Sequence, residues 1–233
     1  MVKIGIPLRY NHMSDGRCIL YLSERLRRTM QKAGAFIVPI VQVQDLDYMD
    51  TKYTEFPELT DDEKKIIDDY LDMVDGVLFP GGIKISLFDR YLLDRCVERN
   101  IPVLGICLGM QLLSSYKHDF KMIENDSNIN HRQENDEELT HKVSIVKDSL
   151  LYKIINKDEI KVNSFHRYHV GECPNCIVNA YSEDGFIEGI ERGDGAFFLG
   201  IQWHPEISYE FDEDSRKIID TFIKVCEGKS LEQ

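Results

Sequence analysis

The sequence predicts an α/β fold in which helices cover a parallel sheet, and three observations carry that expectation. Short apolar runs alternate with amphipathic stretches along the chain, the pattern of strands joined by helical crossovers. The run Val103-Leu104-Gly105-Ile106 enters Cys107 and leaves through Leu108-Gly109-Met110-Gln111, with a glycine two residues to either side of the thiol. Near the C-terminus, Leu199-Gly200-Ile201 runs into Gln202-Trp203-His204-Pro205-Glu206, a second apolar strand that ends in chemically capable residues. At 233 residues, one domain spanning 1–233 is the simplest organisation, without repeats or a linker.

The elements follow in order. Val2 to Pro7 reads as the first strand. Ile19 to Ala33 reads as a helix ended by Gly34, and Ala35 to Val41 as the second strand. Thr60-Asp61-Asp62-Glu63 has the form of an N-cap with an acidic first turn, opening a helix to about Met73. Gly76 to Phe79 is a short buried strand, Leu87 to Asn100 a helix, and Ile101 to Ile106 the strand that feeds Cys107. The helix after Cys107 is expected to reach about Lys117. Glu124 to Thr140 is polar, acidic and Asn-rich without periodicity, which reads as an exposed loop. His141 to Ile145, Ile177 to Tyr181, Phe186 to Ile190 and Ala196 to Gln202 read as later strands, and Ser215 to Cys226 as a closing amphipathic helix.

Composition narrows the function classes. A net charge of −13 and a pI near 5.0 argue against nucleic acid or an anionic membrane as partner. No apolar run approaches the roughly 20 residues of a membrane span, and the start Met1 to Pro7 reads as a strand rather than a signal peptide. A soluble, cytoplasmic protein is expected. The six cysteines have no framework spacing, which suggests reduced thiols. Cys173-Pro174-Asn175-Cys176 is a C-x-x-C, but no second ligand pair follows it and it lies in a turn far downstream, so it reads as loop cysteines.

The chemistry concentrates at the two strand ends. A strand, a sharp turn and a helix N-terminus form a nucleophile elbow, with cysteine in the serine position. There the helix dipole and unpaired N–H groups favour the thiolate. A buried structural cysteine fits the same local pattern. The His204-Pro205-Glu206 segment favours the catalytic reading, because it supplies a base for the thiol and a carboxylate to fix the tautomer of that base.

Further segments then carry a family resemblance: Ile4-Gly5-Ile6-Pro7, Phe79-Pro80-Gly81-Gly82, the cysteine elbow, His131-Arg132-Gln133, Val162-Asn163-Ser164-Phe165-His166, Asp184-Gly185-Phe186-Ile187-Glu188 and Gln202 to Glu206. Over nearly its whole length the chain resembles class I glutamine amidotransferase-like proteins, in the branch of gamma-glutamyl hydrolases. The resemblance implies a three-layer, flavodoxin-like α/β sandwich with a mostly parallel central sheet and helices on both faces. It implies a cysteine hydrolase that cleaves a gamma-glutamyl amide through a glutamyl-thioester, with Cys107 as nucleophile, His204 as base and Glu206 as orienting carboxylate. Leu108 and Gly82 take the positions of the oxyanion-hole N–H donors. Gln111, Ser164 and His166 take substrate-binding positions, although His166 also fits a hydrogen-bonded loop histidine, and His131 would border the site. No cofactor and no metal are implied. The expected partner is a small gamma-glutamyl molecule; a homodimer is allowed for, and the oligomeric state stays open.

Three departures bear on specificity. Ile83-Lys84-Ile85-Ser86-Leu87 replaces the branch's longer acidic loop, Leu108 stands where many of its hydrolases have arginine, and Ser115 to Phe120 replaces a Gly-Gly stretch. Leu108 is what amidotransferase subunits often carry. A glutaminase subunit delivering ammonia to a synthase partner is therefore the alternative reading, and a binding protein on a degenerate fold ranks last.

Overall fold

A computed structural model describes residues 1–46, 57–136 and 138–230 of the chain. The chain begins with β1 (Lys3–Pro7), a hairpin of β2 (Arg9–His12) and β3 (Cys18–Tyr21), then α1 (Glu24–Lys32) and β4 (Phe36–Ile40). There follow α2 (Asp61–Leu71), β5 (Gly76–Phe79), α3 (Leu87–Glu98), β6 (Val103–Ile106) and α4 (Leu108–Ser114). The second half comprises β7 (Met122–Glu124), β8 (His141–Ile145), α5 (Leu150–Ile155), β9 (Glu159–Val162), β10 (Tyr168–Val170), β11 (Ile177–Ser182), β12 (Ile187–Glu191), β13 (Phe198–Ile201), α6 (Pro205–Ser208) and α7 (Glu213–Cys226).

One 11-stranded sheet runs β4-β1-β5-β6-β13-β12-β11-β8-β9, with β10 joining β12 to β7 at its side. From β4 to β13 every pairing is parallel. From β13 onward the pairings are antiparallel. The burial patterns match this change. β5, β6 and β13 are buried at every position, as strands covered on both faces must be. β8 and β9 alternate buried and exposed residues, the mark of a strand with one solvated face.

Two apolar clusters flank the parallel strands. Leu104, Ile106, Leu199 and Ile201 point to the side of α1, α5 and α7, where Met30, Leu151 and Phe222 pack. Val77, Phe79, Val103 and Phe198 point to the side of α2, α3 and α4, against Ile67, Phe88 and Met110. The three-layer α/β arrangement is therefore as expected. The N-cap at Thr60 is a full capping box with Glu63, and Ser86 with Asp89 forms a second one at α3.

The structure corrects several expectations. The helix expected from Ile19 begins only at Glu24, because Cys18 to Tyr21 pairs antiparallel with β2 around a turn in which Gly16 has φ 82°. An apolar strand abutting an amphipathic helix without a polar break reads as one helix, and only the pairing separates them. The helix after Cys107 ends at Ser114 rather than near Lys117. The 124–140 stretch is not wholly exposed: His131 and Gln133 are buried, while Glu137 lies outside the described residues. Among the described residues, no helix is long and apolar enough to cross a membrane.

Candidate active site

β6 delivers Cys107 at φ 53° and ψ −108°, a region that L-residues rarely occupy. Two constraints hold the turn there. The Cys107 N–H donates to the Ile201 carbonyl of β13 at 2.8 Å, and α4 starts at the next residue. Gly109 lets the first turn of α4 lie against the end of β5, since a Cβ at that position would run into the Phe79 carbonyl. The thiol thus stands at the C-terminal edge of the parallel strands and at a helix N-terminus.

β13 ends beside it and carries His204. Its Nδ1 faces Glu206 Oε1 at 2.6 Å, so the ring proton sits on Nδ1 and Nε2 is left for the thiol. Asn163 clasps the His204 backbone from both sides: its Oδ1 accepts the His204 N–H and its Nδ2 donates to the His204 carbonyl, each at 2.8 Å. The Phe165 ring meets the imidazole edge-on at 5.6 Å. Thr29 of α1 donates to the Glu206 carbonyl at 2.9 Å, which fixes the short α6. Burial lowers the His204 pKa, but the charges of Glu206 and the Cys107 sulfur outweigh it and hold the ring well above its usual range. An imidazolium stabilised between carboxylate and sulfur is what a thiolate nucleophile requires.

The turn after β5 covers this pair. A Cβ on Gly81 would lie 2.9 Å from His204 Cε1 and 3.6 Å from Cys107 Cβ, so its backbone passes directly over both side chains. Gly82 lies against Leu108 and Arg9. Arg9 secures the turn from below. Its Nη2 and Nε donate to the Pro80 carbonyl at 2.9 and 3.3 Å, and its Nη1 pairs with Asp89 at 2.7 Å, in a site where both residues are buried. A cleft of about 400 Å³ is lined by Arg9, Gly81, Gly82, His204 and Glu206 and by the Arg25–Asp136 ion pair.

The remaining sequence-predicted residues divide. Gln111 is one helical turn beyond Cys107, and its Nε2 donates to the Tyr168 carbonyl and to Gln202 Oε1, each at 3.1 Å. Ser164 and His166 are buried on the segment that carries Asn163. Ser164 Oγ donates to the His131 carbonyl at 3.1 Å, and His166 Nε2 stands 3.2 Å from His131 Nδ1. His131, His141, His166 and Glu188 form a buried group of their own. Cys173 and Cys176 are free thiols packed behind α4. Burial pushes both pKa values up, that of Cys176 to about 12, which suits loop cysteines without nucleophilic character. Sequence reasoning gave no role to Arg9, Asp89, Asn163 or Thr29. Arg9 and Thr29 act on residues distant in the chain and sit in no local pattern, Asp89 shows locally only as the partner of Ser86 in a capping box, and Asn163 lies in a family-like segment without a signal for its clasp on His204.

Comparison with known proteins gives the site its family. A profile of the Peptidase C26 family matches residues 84–206, more than half of the chain. The chain belongs to the Peptidase C26 family. It is 30% identical over 184 residues to the protein NtpR of Enterococcus hirae, covering 66% of this chain and 76% of that one. It is 26% identical over 203 residues to the gamma-glutamyl-gamma-aminobutyrate hydrolase PuuD of Escherichia coli, covering 73% and 79%. Among solved structures, the Trypanosoma brucei CTPS glutaminase domain with bound acivicin superposes with a TM-score of 0.64 at 17% identity, covering 99% of this chain and 95% of that one. Membership of Peptidase C26 makes the chain a glutamine amidotransferase-like hydrolase of amide bonds.

Proposed function

We propose that this Peptidase C26 protein hydrolyses the gamma-glutamyl amide bond of a small gamma-glutamyl compound, with Cys107 as nucleophile. One observation carries the reading: a cysteine held at positive φ on an elbow, beside a histidine whose far nitrogen is bound to Glu206 at 2.6 Å. In the first half-reaction the Cys107 sulfur attacks the amide carbon and forms a C–S bond. The negative charge moves to the carbonyl oxygen, which the N–H groups of Leu108 and Gly82 stabilise, each donor contributing about 3 kcal/mol. Collapse breaks the C–N bond, and the amine leaves with the proton held on His204. In the second half-reaction water attacks the glutamyl-thioester, His204 takes its proton, and glutamate departs with Cys107 restored.

Gln111, one turn from the nucleophile, is assigned to the glutamate moiety. Ser164 and His166 are assigned to the segment that shapes the pocket wall, where Asn163 and Phe165 meet His204. The similarity to gamma-glutamyl-gamma-aminobutyrate hydrolase supports a free-standing hydrolase. Leu108 after the nucleophile supports the second reading, a glutaminase subunit working with a synthase.

The test is turnover of gamma-glutamyl-p-nitroanilide and gamma-glutamyl-GABA by the isolated chain, with Cys107→Ser as control. Release of amine by the native chain only, with a glutamyl adduct on Cys107 seen by mass spectrometry, is the expected result. Turnover in Cys107→Ser overturns the nucleophile assignment. Cleavage of glutamine alone, and only with a synthase present, selects the second reading.

A further inference from the structure

Four side chains from distant parts of the sequence converge behind the wall of the proposed site, all nearly inaccessible to solvent: His131 from the connection after β7, His141 on β8, His166 after β9 and Glu188 on β12. Hydrogen bonds fix the tautomers of His131 and His166. His131 Nε2 lies 2.9 Å from Asp184 Oδ2 and therefore carries the proton, leaving a lone pair on Nδ1. His166 Nδ1 lies 3.1 Å from the Tyr168 carbonyl, which can only accept, so its proton is on Nδ1 and its lone pair on Nε2. The other neighbours do not alter this. Asn125 Nδ2, 3.4 Å from His166 Nδ1, donates to the His166 carbonyl at 3.0 Å. Ser164 Oγ, 3.4 Å from His131 Nδ1, gives its proton to the His131 carbonyl.

Both lone pairs point inward, toward each other and toward a carboxylate. His131 Nδ1 is 3.2 Å from His166 Nε2 and 3.6 Å from Glu188 Oε1, while His166 Nε2 is 3.4 Å and His141 Nε2 3.5 Å from that same oxygen. Among the described residues, neither Glu188 oxygen and neither His141 nitrogen has a partner in good hydrogen-bond geometry, the His141 and His166 rings reaching Glu188 only through these long contacts. A buried anion that faces two acceptor nitrogens, with only the long 3.5 Å contact of His141 Nε2 available to donate, is poorly compensated, and a cation would resolve the arrangement. The spacing also fits one. Donors at 2.0–2.1 Å around a tetrahedral zinc-like ion lie about 3.4 Å from one another, and the measured separations straddle that value. Donor atoms of His131, His141 and Glu188 all lie within 4.8 Å of one another.

We propose that His131, His141 and Glu188, with His166 as fourth donor, hold a divalent transition-metal ion of the zinc class. Imidazole and carboxylate are the ligands such an ion takes, and the Asp184 contact to the far nitrogen of His131 is the outer-sphere bond that orients a ligating histidine. Four buried protein donors leave no open position, so the ion acts as a clamp. It joins the segment around His131 to β8 and β12, and through the Asn163–His166 segment it stiffens the backbone that holds His204. The Glu188 carbonyl also accepts the Gln202 N–H at 2.8 Å, two residues before His204. The proposal is independent of the reaction assigned to Cys107.

The test is titration of the chelator-stripped full chain with cobalt(II) chloride, followed by the visible absorption of tetrahedral cobalt, and with zinc chloride, followed by thermal unfolding. One equivalent of cobalt giving tetrahedral bands without thiolate charge transfer, and a rise in Tm with zinc, are expected. Glu188→Gln should abolish both. Asp184→Asn, which leaves the ligands in place, should weaken binding about 10–100-fold, so the proposal stays testable if Glu188→Gln does not fold. Cys107→Ser and the double change Cys173→Ser with Cys176→Ser should bind normally. Absence of stoichiometric binding, binding that survives Asp184→Asn undiminished, or bands that vanish with the cysteines would overturn it.

Discussion

His204 illustrates how one residue's protonation is set by its neighbours. Its pKa lies well above the ordinary 6.5, because Glu206 and the Cys107 sulfur favour the charged ring more than burial disfavours it. A raised folded-state pKa means that the group adds stability fully below about pH 6.5 and loses that contribution as pH rises through the folded value. In the proposed mechanism the same ring carries the proton that expels the amine, so the alkaline limb of the rate profile should follow the raised pKa. Glu206→Gln removes the larger of the two raising charges, and that limb should move to lower pH in a kcat/KM profile. A limb that stays in place would show that Glu206 does not set the charge of the ring. That Cys107 and His204 stand at neighbouring strand ends, with Glu206 two residues further on, was legible in the sequence because two short contiguous motifs close apolar runs. Arg9 was not, since it acts on Pro80 and Asp89 across separations of 71 and 80 residues.

At the level of elements, the fully apolar runs of β5, β6 and β13 announced themselves, as did the capped α2. The three-residue β7 and β10 exist only through pairing with each other and with β12, and no local pattern could reveal them. α3 shows how an element can serve two ends. Asp89 caps its N-terminus, accepting from the Ser86 N–H at 2.9 Å, and neutralises Arg9 beneath the Pro80–Gly82 turn. Asp89→Asn leaves Arg9 as a buried, unpaired cation, a change that costs about 3–5 kcal/mol in comparable sites. Urea denaturation should register that loss, together with a fall in activity as the turn over Cys107 loosens. A loss below about 1 kcal/mol would show the pair to be solvated in solution.

For the molecule as a whole, the change from parallel to antiparallel pairing at β13 divides the labour. The parallel strands place the thiol and the imidazole at one edge, whereas the antiparallel wing sends back Asn163 to clasp the His204 backbone and Phe165 to meet its ring. The alternation of strands and helices made the first half legible. The second depends on pairings between strands far apart in sequence, such as β8 with β11. The β2–β3 hairpin lies outside this sheet. Amide hydrogen exchange should therefore release the hairpin well before β1, β5, β6 and β13, whose bonds open only with the core. Equal protection would place the hairpin in the same cooperative unit.

The backbone angles at Cys107 carry one more consequence. A chain selected only for foldability would put glycine where φ is 53° and ψ is −108°, since any Cβ there is disfavoured. The usual ranking of small residues should therefore invert at this site: Cys107→Gly should unfold at a higher temperature than Cys107→Ala, by about 1 kcal/mol in stability. The sulfur is thus held where the polypeptide would rather have no side chain at all, a standing tension between durability and reactivity at the mouth of the sheet.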